Sequence, residues 1–144
     1  MITPTSKETE TNREDEEEIG SQQRDPLTEK IIAAAIEVHR CLGPGLLEAV
    51  YEDCLCHELG LRGLRFERQV PLPLNYKGLK LEATYRLDVV VENRVVLELK
   101  AVEQILPVFR AQLLSYLRLS GKRVGLLINF HVPCVTQGIV RLSL

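Results

Sequence analysis

The sequence has no tryptophan, and aromatic residues make up only 5% of it. That scarcity argues against a base-stacking platform built on several rings. No apolar run approaches the roughly 20 residues of a membrane-spanning helix, so no membrane association is expected. The N-terminus lacks the basic-then-apolar order of a secretory signal and is too acidic for a transit peptide. Four cysteines are present, with no C-x-x-C pair among them, and they are expected to be reduced thiols in a cytoplasmic protein. Cys54 and Cys56 on a helix point about 200° apart, a poor arrangement for one zinc ion. The spacing of Cys41, Cys54, Cys56 and Cys134 also suits an iron–sulfur cluster badly. There is no glycine-rich phosphate loop, Ser/His/Asp set or dinucleotide fingerprint.

What is present is globular: 144 residues, 45% hydrophobic and 26% charged, enough for one domain. The net charge of -2 hides two unlike parts. Residues 1–25 hold eight acids and three bases, with no apolar periodicity, whereas residues 26–144 hold 15 bases and 12 acids. The first part is expected to be a disordered acidic tail, because it cannot bury enough surface to offset its ordering entropy. It acts either as a solubilising leader or as a nucleic-acid mimic lying over a basic surface. The second part is the folded domain, 26–144.

Asp25-Pro26 has the form of a helix start, with Asp as cap and Pro at the first helical position. The stripe Ile31, Ile32, Ala35, Ile36, Val38 continues that helix to Gly43-Pro44-Gly45. A second helix carries Leu47, Val50, Tyr51, Cys54, Leu55 and Leu59, with Gly60 at its end. The period then changes to two. Strands are expected at Phe66–Leu74, Leu79–Val91 and from Arg94 or Val95 to Val102, and Pro71 and Pro73 place the first at a sheet edge. Pro107–Leu119 returns to helix. The apolar run Val124–Phe130 reads as a central strand covered on both faces, and Ile139–Leu142 as a short last strand.

The segment from Leu87 to Lys100 is the most informative. Leu87, Val89 and Val91 share one strand face, and Val95, Leu97 and Leu99 share another. Opposed residues in a hairpin point the same way, so a buried face must pair odd positions with odd. The simplest loop is Glu92-Asn93-Arg94, with Val91 opposite Val95 and Asn93 or Arg94 in the left-handed conformation. Continuing the register sets Asp88 opposite Glu98 and puts Asp88, Glu98 and Lys100 together on the other face.

Paired carboxylates form a hard oxygen site for a divalent ion such as magnesium. Such an ion polarises a phosphoryl group and acidifies water, while a neighbouring lysine orients that water or stabilises charge on phosphorus. The alternative is a solvated face with a cross-strand ion pair. Val90 and Val96 flank the acids, which favours a partly buried site.

Leu87-Asp88 followed by Glu98-Leu99-Lys100 resembles the core of the PD-(D/E)XK nuclease superfamily, with Leu87 where the name has Pro. Gly45-Leu46-Leu47-Glu48-Ala49-Val50-Tyr51 resembles the signature of the GxxExxY family within it. The segments Val38–Arg40, Arg68–Val70, Tyr76–Gly78, Gln112–Leu117 and Gly125–Phe130 are similar to that family too, so the resemblance spans about Pro26 to Leu144. It implies an α/β, restriction-endonuclease-like core: a central mixed β-sheet flanked by α-helices. It also implies that Asp88 and Glu98 bind metal (Mg2+ or Mn2+), that Lys100 is catalytic, and that Glu48 is an acid lent by the first core helix. Gln112 and Tyr116 match the Q-x-x-x-Y element of RecB-like nucleases.

Read from spacing alone, Glu48 and Tyr51 share a helix face, as do Gln112 and Tyr116. With Gly45 as cap, Glu48 sits at the third helical position, where free amides favour an acid regardless of metal. Gln112 and Tyr116 are equally consistent with a satisfied polar contact on a core helix. His39 reads as a capping or core contact, and Arg62, Arg65 and Arg68 either track phosphates or block a sheet edge. Three readings remain open: a metal-dependent nuclease acting on nucleic acid (DNA in preference to RNA, with a homodimer as one arrangement), an inactive nucleic-acid-binding module on the same fold, and a protein-interaction module.

Overall fold

The computed structural model describes residues 16–17 and 25–144. The expected disordered tail lies outside the described residues, except for Glu16–Glu17, which forms a two-residue strand β1 antiparallel to the last strand. Helix α1 (Pro26–Leu42) starts where Asp25 accepts the Leu27 N–H at 3.1 Å. It stops at Gly43, whose φ of 68° a residue with a Cβ rarely adopts. Helix α2 (Glu48–Leu61) begins later than the sequence suggested. Leu47, not Gly45, is its cap, and no side chain caps it. Glu48 is therefore the first helical residue rather than the third, and it still lies in the first turn, where free amides and the helix dipole favour an acid.

The strands are β2 (Phe66–Tyr76), β3 (Leu79–Val91), β4 (Val95–Lys100), β5 (Val124–Asn129) and β6 (Ile139–Ser143). Helix α3 (Pro107–Ser120) joins β4 to β5, and a 3-10 turn (Val135–Gly138) precedes β6. The sheet order is β1-β6-β5-β4-β3-β2. Among the described residues only β4 and β5 pair in parallel, as expected of strands linked by a helical crossover. β2 is at the edge, with Pro73 at a register shift between Leu72 and Leu74, the kind of position where a sheet tolerates proline.

The β3–β4 register is Val91↔Val95, Val90↔Val96 and Val89↔Leu97, the odd-to-odd pairing required by the apolar pattern. Glu92 and Asn93 both take positive φ, 50° and 54°, and the Arg94 N–H donates to the Val91 carbonyl at 3.0 Å. The left-handed residues are thus Glu92 and Asn93 rather than Arg94.

Helices α1 and α2 cover one sheet face. There Ile31, Ala35, Tyr51, Leu55 and Leu59 pack with Val89, Val91, Leu97, Leu99, Leu126 and Ile128. Helix α3 covers the other, where Leu113, Tyr116 and Leu117 pack with Leu87, Val90, Val96 and Leu127. Leu87, expected on the face of Val89 and Val91, is instead on this one, because the alternation of β3 is broken at Asp88. A Cβ on Gly125 would lie 2.9 Å from Leu113 Cδ1. The absent side chain lets α3 sit close on β5 and brings its polar residues down toward the sheet.

Candidate active site

The β3–β4 ladder ends at Val89↔Leu97, and side chains continue it. The Leu99 N–H donates to Asp88 Oδ2 at 2.9 Å, and the Asp88 N–H donates to Glu98 Oε1 at 3.3 Å. On its other side β3 is irregular at the same point. Arg68↔Val89 and Val70↔Leu87 pair, but Gln69, between them, has φ 50°, a conformation that costs a non-glycine residue roughly 1 kcal/mol. Asp88 therefore sits at a break in the sheet rather than on an ordinary pleat.

Glu98 is only 6% exposed. Burial, followed by the Asp88 charge, pushes its carboxyl up to about 8. Asp88 is also raised, chiefly by burial, against the lowering effect of the Leu99 amide. The two acids are within each other's field, and both carboxyls are raised, chiefly by burial. Two carboxylates in so dry a place cannot both be charged without a compensating cation.

Lys100 supplies part of that compensation, lowering Glu98, Asp88 and Glu48. Its Nζ lies 4.5 Å from the centroid of the Phe109 ring. Glu48, exposed at the start of α2, is raised by desolvation and then by the Asp88 charge. It belongs to the helix layer on the opposite face from α3, yet it lies close enough to Asp88 to feel its charge. Tyr116 is buried on α3, and after desolvation the Glu98 charge is the largest influence raising its phenol. Gln112 lies one turn earlier on α3, half-buried. The expected residues Asp88, Glu98, Lys100, Glu48 and Tyr116 thus share one electrostatic neighbourhood, and Gln112 occupies the helix that borders it.

Glu48 and Tyr51 do separate jobs. Tyr51 is fully buried, its ring stacked 4.5 Å from Phe130. Its hydroxyl donates to the Gly43 carbonyl at 2.5 Å and accepts the Leu46 N–H at 3.1 Å, fixing the loop that launches α2. His39 is buried and contacts the Val132 carbonyl through Nε2 at 2.8 Å. Arg62, Arg65 and Arg68 are each paired with carboxylates: Glu58, Glu92, and Glu52 with Asp53.

Two supports were not picked out from the sequence. Phe109 holds Lys100. Asn129, 2% exposed at the end of β5, accepts the Val102 N–H at 3.0 Å and donates to the Val102 carbonyl at 2.9 Å. It clamps the chain just beyond Lys100, and its signal was the one polar side chain in the run Val124–Phe130.

Among the described residues no group of three or more His, Cys, Asp or Glu side chains forms a ready-made metal cage. The donor set nevertheless fits a hard divalent ion. One oxygen each of Asp88 and Glu98 is fixed by a main-chain amide, and burial raises both carboxyls, so a cation beside them would relieve the cost of their charge.

A mixed six-stranded sheet flanked by helices, with Asp at a strand break and Glu-x-Lys on the next strand, defines a restriction-endonuclease-like α/β protein. The model for the PD-(D/E)XK nuclease superfamily matches residues 25–142, and the chain belongs to that superfamily. Membership points to nuclease activity, to a nucleic-acid substrate and to divalent-metal chemistry. Comparison with curated proteins and with solved structures finds no match. Among the described residues no helix is long and apolar enough to cross a membrane.

Proposed function

We propose that this protein is a divalent-metal-dependent nuclease that hydrolyses phosphodiester bonds, and that within its superfamily it is of the GxxExxY kind. The observation that carries this reading is the reciprocal arrangement of Asp88 and Glu98, each carboxylate held by an amide of the other's strand. A salt-bridging surface pair has no need of such fixation or of burial. Asp88 and Glu98, with Glu48 as a third donor from α2, would hold magnesium or manganese. The ion would supply polarisation of the phosphoryl group and a more acidic attacking water.

The chain's own groups do the rest. Lys100 presents a positive charge beside the acids, braced against Phe109, where it favours the extra negative charge that develops on phosphorus. Tyr116 keeps its phenolic proton and offers a donor from α3, and Gln112 on the same helix offers an amide to the substrate backbone. Burial of Glu98 keeps the local dielectric low, which strengthens each of these interactions. The preferred substrate is DNA over RNA, in a cytoplasmic setting consistent with four unpaired thiols.

The test is a calorimetric titration with magnesium and manganese on the wild type and on Asp88→Ala, paired with single-turnover cleavage of labelled DNA and RNA. Binding that disappears in Asp88→Ala, together with metal-dependent cleavage, supports the proposal. Metal binding with no cleavage of any substrate assigns the chain to the inactive binding-module reading. No metal binding at all returns the acids to a structural role.

A further inference from the structure

We infer that the outer half of the β2–β3 hairpin is an arm along which a single-stranded stretch of nucleic acid lies, its bases stacked on Tyr85 and Tyr76, as it enters the Asp88–Glu98 site. The inference rests on the nuclease reading above and adds to it a binding surface and a strand form.

The chain has four tyrosines and three phenylalanines, all within the described residues. Tyr76, 62% exposed, and Tyr85, 41% exposed, are the most exposed of these rings, while Phe66 and Phe109 are partly buried. Both tyrosines lie on this hairpin. Its opposed pairs are Leu72↔Tyr85, Leu74↔Leu81 and Tyr76↔Leu79, and opposed residues point to the same side. Tyr85, Leu81, Leu79 and Tyr76 are all exposed and follow one another as an apolar strip along the hairpin, across a register shift between Leu72 and Leu74. It starts at the candidate site, because the Tyr85 ring lies 5.8 Å from Tyr116 at 51°, and Tyr116 lies in the field of Glu98 and Asp88. From Asp88 to Leu79 the strand provides roughly 30 Å of path.

Charge identifies the occupant. Residues 76–86 contain Lys77, Lys80 and Arg86 against the single acid Glu82. Among the described residues Lys77 and Lys80 have no carboxylate partner, in contrast to Arg62, Arg65 and Arg68. Lys77 leans over the Tyr76 ring at 5.4 Å, placing a cation and a stacking surface together at the tip. Lys80 alternates to the other face of the hairpin, and Arg86 turns back to the Gln69 carbonyl. An apolar strip with the Lys77 cation over its terminal ring suits bases and phosphates. It suits a second copy less well, because two such hairpins face to face repel. Bases must be unstacked to lie on tyrosine rings, which selects a single strand or a frayed end over an intact duplex. The overall scarcity of aromatics hides this arm in the sequence, since two rings nine residues apart become one strip only when the hairpin closes.

The experiment measures anisotropy of a fluorescein-labelled single strand of about 12 nucleotides, and of the matching duplex, with magnesium. The full chain carries Lys100→Met throughout to suppress cleavage. Tyr85→Leu and Tyr76→Leu keep apolar cover but remove the π-face. Each is expected to weaken single-strand binding roughly 5- to 100-fold, to leave duplex binding within about threefold and to leave the melting temperature unchanged. Single-strand affinity within about twofold of the parent in the double variant overturns the inference. If Tyr-wild-type protein still binds metal and cleaves DNA in that case, the nuclease reading stands without the arm. If the Lys100→Met parent binds no oligonucleotide and the wild type cleaves none, both fail. A dimer in light scattering that Leu79→Lys dissociates assigns the strip to a second copy and also overturns the inference.

Discussion

Asp88 and Glu98 lie beyond the last backbone pair of β3 and β4, yet their carboxylates continue the ladder by accepting each other's strand amides. The same hydrogen bonds that aim the acids hold them where Glu48 from α2 and Tyr116 from α3 both feel their charge. Holding two acids in a dry break has a stability cost when they are ionised without a partner. Placement of the site and the expected weakness of the metal-free protein therefore have one origin.

The first prediction concerns that cost. The Glu98 carboxyl titrates at about 8 in the fold against 4.5 when free, and Asp88 is also raised. Between those values the folded state retains a proton that the unfolded chain has lost, so stability falls as pH rises from about 4.5 through about 8. Glu98→Gln removes this decline. In chelator, the variant should melt higher than wild type, by a margin that is small at pH 5 and largest above pH 8. Magnesium should raise the melting temperature of wild type and not of the variant. A margin that does not change with pH would place Glu98 in an ordinary solvated environment.

Much of this fold is legible in the sequence because it rests on alternation and end signals. The odd-to-odd hairpin register followed from burial of one face, and Asp25-Pro26 and Gly43 bounded α1 as written. The cap of α2 was misplaced because Gly45 resembles a start signal, while the real start, Leu47, has no side-chain hydrogen bond to announce it. The break at Asp88 was not legible. It depends on a left-handed Gln69 opposite it, and nothing in a glutamine between Arg68 and Val70 encodes that conformation locally. Phe109 and Asn129 were missed because each acts on a segment distant in sequence.

The second prediction places the domain boundary. Asp25 caps α1 and also meets Arg94 at 3.5 Å, so it belongs to the domain rather than to the acidic segment. Deleting residues 1–24 should change stability little, while deleting 1–25 should cost about 1 kcal/mol more, the usual worth of a helix cap. Chemical denaturation of the two truncated proteins reads the difference. Equal stabilities would show that Asp25 does not cap the helix in solution.

The third prediction tests the clamp beyond Lys100. Asn129→Ala leaves the Val102 N–H and carbonyl without their partner, at a cost of roughly 2–4 kcal/mol for two partly buried groups. Loosening that segment should also lower the single-turnover cleavage rate about tenfold, because Lys100 lies two residues away on the same chain. Urea unfolding and cleavage should therefore shift together. A stability loss with an unchanged rate would confine Asn129 to the fold.

The fourth prediction separates the charge of Lys100 from its packing and follows from the ring beneath it. If the ammonium acts on the transition state, Lys100→Ala and Lys100→Met should behave alike. Metal and nucleic-acid binding should stay within about tenfold while cleavage falls on the order of a hundredfold or more, because methionine restores the stem's packing without the charge. Phe109 should matter only through Lys100, whose Nζ rests 4.5 Å from its ring. Phe109→Leu should lower cleavage about 3- to 30-fold, the range of one cation–π contact. In the Lys100→Met background the same change should have almost no further effect, since the two positions share one interaction. Additive losses in the double variant would show that Phe109 serves the core of the α3 face instead. A wild-type rate in Lys100→Ala would remove lysine from the mechanism and assign the observed cleavage to another site.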